Sequence, residues 1–119
     1  MVFAGLTSDD QRVKAATEWI KTFYSVEENP GLGQQGIFYY YMKFAKTFNA
    51  MNLEVVTDAE GKSHDWRKEL TEQLCQRQQE NGGWLNKNER WYEGNPDLAT
   101  AYVLIAFKHC EPNAAAQTR

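Results

Sequence analysis

The run His64-Asp65-Trp66-Arg67 sets an imidazole beside a carboxylate, the pairing on which general acid–base chemistry draws. The chain has no GxSxG, HExxH or phosphate-cradling glycine loop to complete such a site, so the histidine reads as a solvated or hydrogen-bonded cap on a loop. Gly31-Leu32-Gly33-Gln34-Gln35-Gly36 has the GxGxxG spacing of a dinucleotide site. It follows a helix and lacks the preceding strand, which makes it a helix-to-helix turn. Asp9-Asp10-Gln11-Arg12 places two acids where a helix dipole favours them, and reads as a helix start rather than a diphosphate site. The remaining candidates are aromatic. Tyr39, Tyr40, Trp84, Trp91 and Tyr92 fall around the loops that open two apolar helices.

The spacing predicts four helices in two pairs. Thr7 with Asp10, or Ser8 with Gln11, makes a capping box, after which Val13, Ala16, Ile20 and Phe23 recur on one face. The second helix runs from about Gly36 to Met51 and is apolar almost all round, a pattern that demands burial on most sides. The third is capped by Ser63 or Asp65 and carries Trp66, Leu70 and Leu74 on one face, as an outer helix does. Asn95-Pro96-Asp97 caps the fourth, which continues to about Cys110 and is again greasy all round. Between the pairs, Val55 to Lys62 reads as a turn or small hairpin in which Gly61 supplies a positive φ. A polar, Ala-rich tail over 111–119 is expected to fray.

At 119 residues, with 42% apolar and 13% aromatic content, the chain has material for one core, read as a single helical domain over 1–110. A net charge of -3 and a pI near 5.4, with cations scattered among acids, argue against a nucleic-acid footprint. No apolar run approaches the roughly 20 residues that span a bilayer, and Met1 to Leu6 lacks the basic start of a signal peptide, so a cytoplasmic location is expected. Cys75 and Cys110 lie in helices without CxxC spacing. They are read as two buried thiols, with a single disulfide between the third and fourth helices as the alternative.

The halves pattern as repeats, about 8–51 and 64–110. Ala16-Thr17-Glu18-Trp19-Ile20 aligns with Leu70-Thr71-Glu72-Gln73-Leu74, and Tyr41-Met42-Lys43-Phe44-Ala45 with Tyr102-Val103-Leu104-Ile105-Ala106. Here the chain resembles the terpenoid cyclase and protein prenyltransferase superfamily, the α/α toroid built from the prenyltransferase and squalene oxidase repeat. It looks closest to uncharacterised bacterial members. The family's QW motif is supplied in complementary halves: Leu74, Gln78, Gly82 and Trp84 in the second repeat, Ala16, Trp19 and Ile20 in the first. The physical logic of these residues is that of a packing staple, with a glutamine bonding groups left open at a helix end and a tryptophan covering the apolar layer while its N–H finds a partner.

The resemblance implies chemistry that this sequence does not complete. The acid motif of protonating cyclases, Asp-x-Asp-Asp, is absent from the five aspartates, and the zinc set of protein prenyltransferases has only Asp97, His109 and Cys110 as a counterpart. His109 and Cys110 point about 100° apart on one helix and Asp97 stands more than three turns away, so no shared metal is expected. Glu93 and Asp97 are the acids at the rim of the cavity that the resemblance implies, with Arg90 the one cation beside it.

Two hairpins leave apolar helix faces open. The expectation is an all-α domain, a fragment-like piece of an α/α toroid without cofactor or catalytic activity of its own, acting as an interaction or assembly module. A homodimer through Tyr41, Phe44, Phe48 and Leu104, or a partner protein, would cover those faces. The alternative is an enzyme-like or lipid-binding half-site that accepts an apolar isoprenoid among Tyr39, Tyr40, Trp91 and Tyr92.

Overall fold

A computed structural model describes residues 5–7 and 9–111. The chain is all-α apart from one minute hairpin: α1 (Gln11–Thr22), α2 (Ile37–Ala50), β1 (Val56–Thr57), β2 (Ser63–His64), α3 (Trp66–Arg77) and α4 (Pro96–Cys110). The antiparallel strands pair Val56 with His64 and Thr57 with Ser63 around a turn in which Gly61 holds φ +85°. Ser8 and the tail from 112 lie outside the described residues.

Local caps set the helix starts. Asp65 accepts from Lys68 N, and Asn95 accepts from Asp97 N ahead of Pro96 in the first turn. At α1 the expected capping box gives way to Asp10, whose carboxylate accepts from Arg12 N at 2.8 Å and holds the Arg12 guanidinium at 2.9 and 3.0 Å. Arg12 keeps that carboxyl below its usual range. Thr7 contributes its carbonyl to Asp10 N. An aspartate serves the helix dipole better than a neutral hydroxyl, which is why the cap sits there.

The two apolar helices run side by side in the same direction. Tyr39 near the start of α2 meets Tyr102 edge-on at 5.7 Å, and Asn49 near its end meets His109 at 3.2 Å. α3 runs the opposite way: Trp66 at its start packs on Phe44 and Phe48, and Arg77 at its end lies over the ring of Tyr41 near the start of α2. The core is therefore Ile37, Phe38, Tyr41, Phe44, Ala45 and Phe48 of α2, Trp66, Leu70 and Leu74 of α3, and Ala99, Val103 and Ala106 of α4, with Val56 and Trp84.

Burial departs from expectation at several positions. Tyr41, Phe44 and Phe48, assigned to a dimer face, are buried within the fold. α4 buries three side chains and leaves Leu104 60% and Ile105 40% exposed. Trp19 is 52% exposed and packs at a tilt against Phe23 at the end of α1 instead of stapling the core, while Ala16 and Ile20 are half-buried. Cys75 is exposed and Cys110 half-buried, and both thiols are free. The exposure of Cys75 removes it from the expected buried pair, and with both thiols free the alternative disulfide is not formed.

The second half of the motif behaves as a staple. Trp84 is buried, donates its ring N–H to the Leu74 carbonyl at 2.9 Å and meets Phe107 edge-on. Gln78 donates to the Gly82 carbonyl at 2.8 Å, closing the turn that delivers Trp84.

Candidate functional site

The first turn of α2 has no cap of its own, because Gly36 in the left-handed region at φ +62° has no side chain to offer. Glu93 supplies it from across the fold. Its carboxylate is fully buried and accepts from Phe38 N at 2.9 Å, Tyr39 N at 3.0 Å and the Asn86 amide at 3.2 Å. Two amides at the positive end of a helix are what a buried carboxylate requires. Glu93 is thereby spent on structure. It is not the rim acid the sequence suggested.

The loop carrying Glu93 is hydrogen-bonded along its length. Asn86 donates to the Gln34 carbonyl and receives Asn88 N, Asn88 in turn receives Arg90 N, and Asn86 N donates to the Glu93 carbonyl. A single turn of 3-10 helix over Arg90–Tyr92 follows, in which Trp91 and Tyr92 hold φ of 66° and 65°. Side chains with a Cβ pay for that region. The reward is placement: Trp91 is 59% and Tyr92 81% exposed, over the start of α2.

These two rings wall a cleft of about 460 Å³ with Asn29, Leu32, Gly36, Tyr39 and Tyr102. Gly36 forms its floor, where an added Cβ would stand 3.4 Å from the Trp91 ring. Arg90 lies 5.3 Å over Trp91, and Lys43 5.7 Å over Tyr39. Faces of four aromatic rings and few polar atoms suit stacking and apolar contact rather than bond-making chemistry. Of the expected ligand residues, Tyr39, Trp91 and Tyr92 meet here, with Arg90 beside them. Tyr40 and Tyr41 do not: their hydroxyls donate to the Ser25 and Val26 carbonyls and tie down the segment after α1. Burial raises both phenols, that of Tyr41 to about 12. Asp97 is exposed in the first turn of α4, away from the cleft. Leu32 and Tyr102 were missed, and only their company in space marks them.

His64 is hydrogen-bonded, as expected, but it is buried and does not pair with the adjacent Asp65. His64 is buried, with Nε2 at 2.8 Å from Asp58 and Nδ1 at 3.0 Å from Glu69, and the Tyr24 ring stacks on it at 4.1 Å. Its neighbour Asp65 is occupied as the α3 cap. The hydrogen bond to His64 keeps the Asp58 carboxyl below its usual range, and burial with Glu69 pushes the Tyr24 phenol far up. No nucleophile is held by this cluster. It is a latch between the hairpin turn and the first turn of α3.

Among the described residues, no group of three or more His, Cys, Asp or Glu could hold a metal ion, and no helix is long and apolar enough to cross a membrane. No protein-family model, curated protein or solved structure matches the chain.

Proposed function

We propose that this chain is a non-catalytic helical interaction module whose contact site is the aromatic cleft at the start of α2. One observation carries the reading: Trp91 and Tyr92 are held outward by backbone that bulky residues seldom adopt, and strain of this kind concentrates at functional sites. The titratable residues that first suggested chemistry are occupied elsewhere, Glu93 as a helix cap and His64 in a latch. The occupant is an extended peptide segment rich in proline. Aromatic-lined open clefts with phenol hydroxyls at their edges take polyproline segments at low entropic cost, and rings that are exposed and prearranged serve that mode.

The toroid-like ancestry suggested by the sequence belongs to the same proposal. In its support, α2 and α4 lie side by side in one direction, with α3 reversed against them, as stacked hairpins would place them. An apolar small molecule is the second reading, favoured by a cleft volume within the range of small-ligand sites.

Peptide selection against the folded domain, with a Trp91→Ala/Tyr92→Ala variant as counter-selector, tests the proposal. Proline-rich peptides that bind the native chain alone, and shift the amide resonances of Tyr39 and Tyr102, are expected. Failure to enrich any peptide while an apolar probe quenches Trp91 would move the assignment to the small-molecule reading.

A further inference from the structure

α4 carries a second surface, distinct from the cleft. Asp97, Ala101, Leu104 and Lys108 follow one another at intervals of four, three and four residues, which is the spacing of a coiled-coil seam. All four are exposed, with Leu104 60% uncovered and Ile105 beside it 40%. Val103, Ala99 and Ala106 face the core instead, so this seam lies on the side of α4 turned away from α2. Among the described residues neither Asp97 nor Lys108 enters an ion pair.

The seam is complementary to itself reversed. Laid antiparallel on a second copy about a twofold axis level with Tyr102 and Val103, it sets Ala101 against Leu104 and Asp97 against Lys108, each contact occurring twice. Small against large interdigitates, and acid meets base at both ends. A parallel pairing would set Asp97 on Asp97 and Lys108 on Lys108. The charges therefore select both the partner and its direction.

We infer that the exposed seam of α4 is a self-docking surface, on which a second copy of this chain pairs antiparallel. The inference deepens the interaction-module reading by naming one partner, and it stands apart from the peptide cleft. Three helical turns, roughly 16 Å, bury less than a standard interface, so the dimer is weak, with a dissociation constant on the order of 100 µM.

Charge reversal in trans decides it. In sedimentation experiments on the full chain at low salt, Asp97→Lys alone and Lys108→Asp alone should each raise the dissociation constant about tenfold or more, since two attractions become two repulsions. An equimolar mixture of the two variants should form heterodimers, because each reversed charge then meets its opposite. The double variant Asp97→Lys/Lys108→Asp should dimerise with itself, and Leu104→Gln should not. A native chain that stays monomeric at about 1 mM overturns the inference. A native dimer indifferent to these charges also overturns the seam, while leaving the peptide cleft and its selection test untouched.

Discussion

The Glu93 carboxylate accepts the backbone N–H of Phe38, a residue 55 positions earlier, and so one loop completes the start of a helix that its own sequence left uncapped. The same bond fixes the height at which Trp91 and Tyr92 stand over the cleft. Glu93→Ala leaves the Phe38 and Tyr39 amides without their side-chain acceptor and takes from Asn86 one of its two acceptors, the Gln34 carbonyl remaining. Hydrogen bonds to charged groups contribute about 1.5 to 3 kcal/mol each, and the loss here should reach about 3 kcal/mol. Glu93→Gln retains an acceptor but loses the charge, and should cost roughly half as much. Urea denaturation measures both; a loss under about 0.5 kcal/mol for the alanine variant would show that the cap is dispensable.

Trp84→Ala should destabilise by roughly 3 to 5 kcal/mol, because it empties a buried indole site and strands the Leu74 carbonyl. Trp84→Phe keeps most of the volume and removes only the N–H, so its cost should be smaller. A melting temperature unchanged by the alanine substitution would assign Trp84 to binding instead of packing.

The fold was legible where the signal was local. Asn95-Pro96 and Asp65 cap the helices they precede, and Gly61 turns the hairpin, because each acts within a few residues of itself. Partners that meet only through the folded geometry were not legible. Asp58 and Glu69 lie six and five positions from His64, yet no spacing motif announces that both face its ring, and nothing near Glu93 announces the amides of α2, more than 50 positions away. The aromatic run of α2 hid its own orientation too: with apolar residues on every side, periodicity cannot say that Tyr41 points inward and Tyr39 outward. Of the cleft, the sequence suggested Tyr39, Trp91 and Tyr92 but not Leu32 or Tyr102, which join them only through tertiary packing.

Stability should fall as solutions become mildly acidic, and His109 is one cause. Burial lowers its pKa below 6.5, with Lys46, Lys108 and Arg67 adding to the effect. Arg67 fixes the Asn49 amide by donating to its oxygen at 3.1 Å, which leaves the Asn49 nitrogen to donate to His109 Nδ1, a bond only the neutral ring accepts. The unfolded chain takes up this proton first, so the contribution is intact above about pH 6.5 and is lost as pH falls through the lower native value. A second decline, from Asp58, begins below about pH 3.8, since its carboxyl is held low by His64. Melting curves across this range should show the first decline flattened in His109→Gln and the second in Asp58→Asn. Parallel profiles for native and variant proteins would remove these groups as the cause.

Tyr92 offers the sharpest separation of stability from function. Its ring is 81% exposed and its φ is 65°, so truncation gives up little packing while the backbone strain remains for any residue bearing a Cβ. Tyr92→Gly relieves about 1 kcal/mol of that strain, partly offset by the greater freedom of glycine in the unfolded chain, for a net stabilisation of about 0.5 kcal/mol. Tyr92→Ala keeps the strain and should show no gain. Both should weaken peptide binding at the cleft. Should Tyr92→Gly instead destabilise the domain by more than about 1 kcal/mol, the ring would be a structural anchor, and the outward-held pair would no longer mark a binding site.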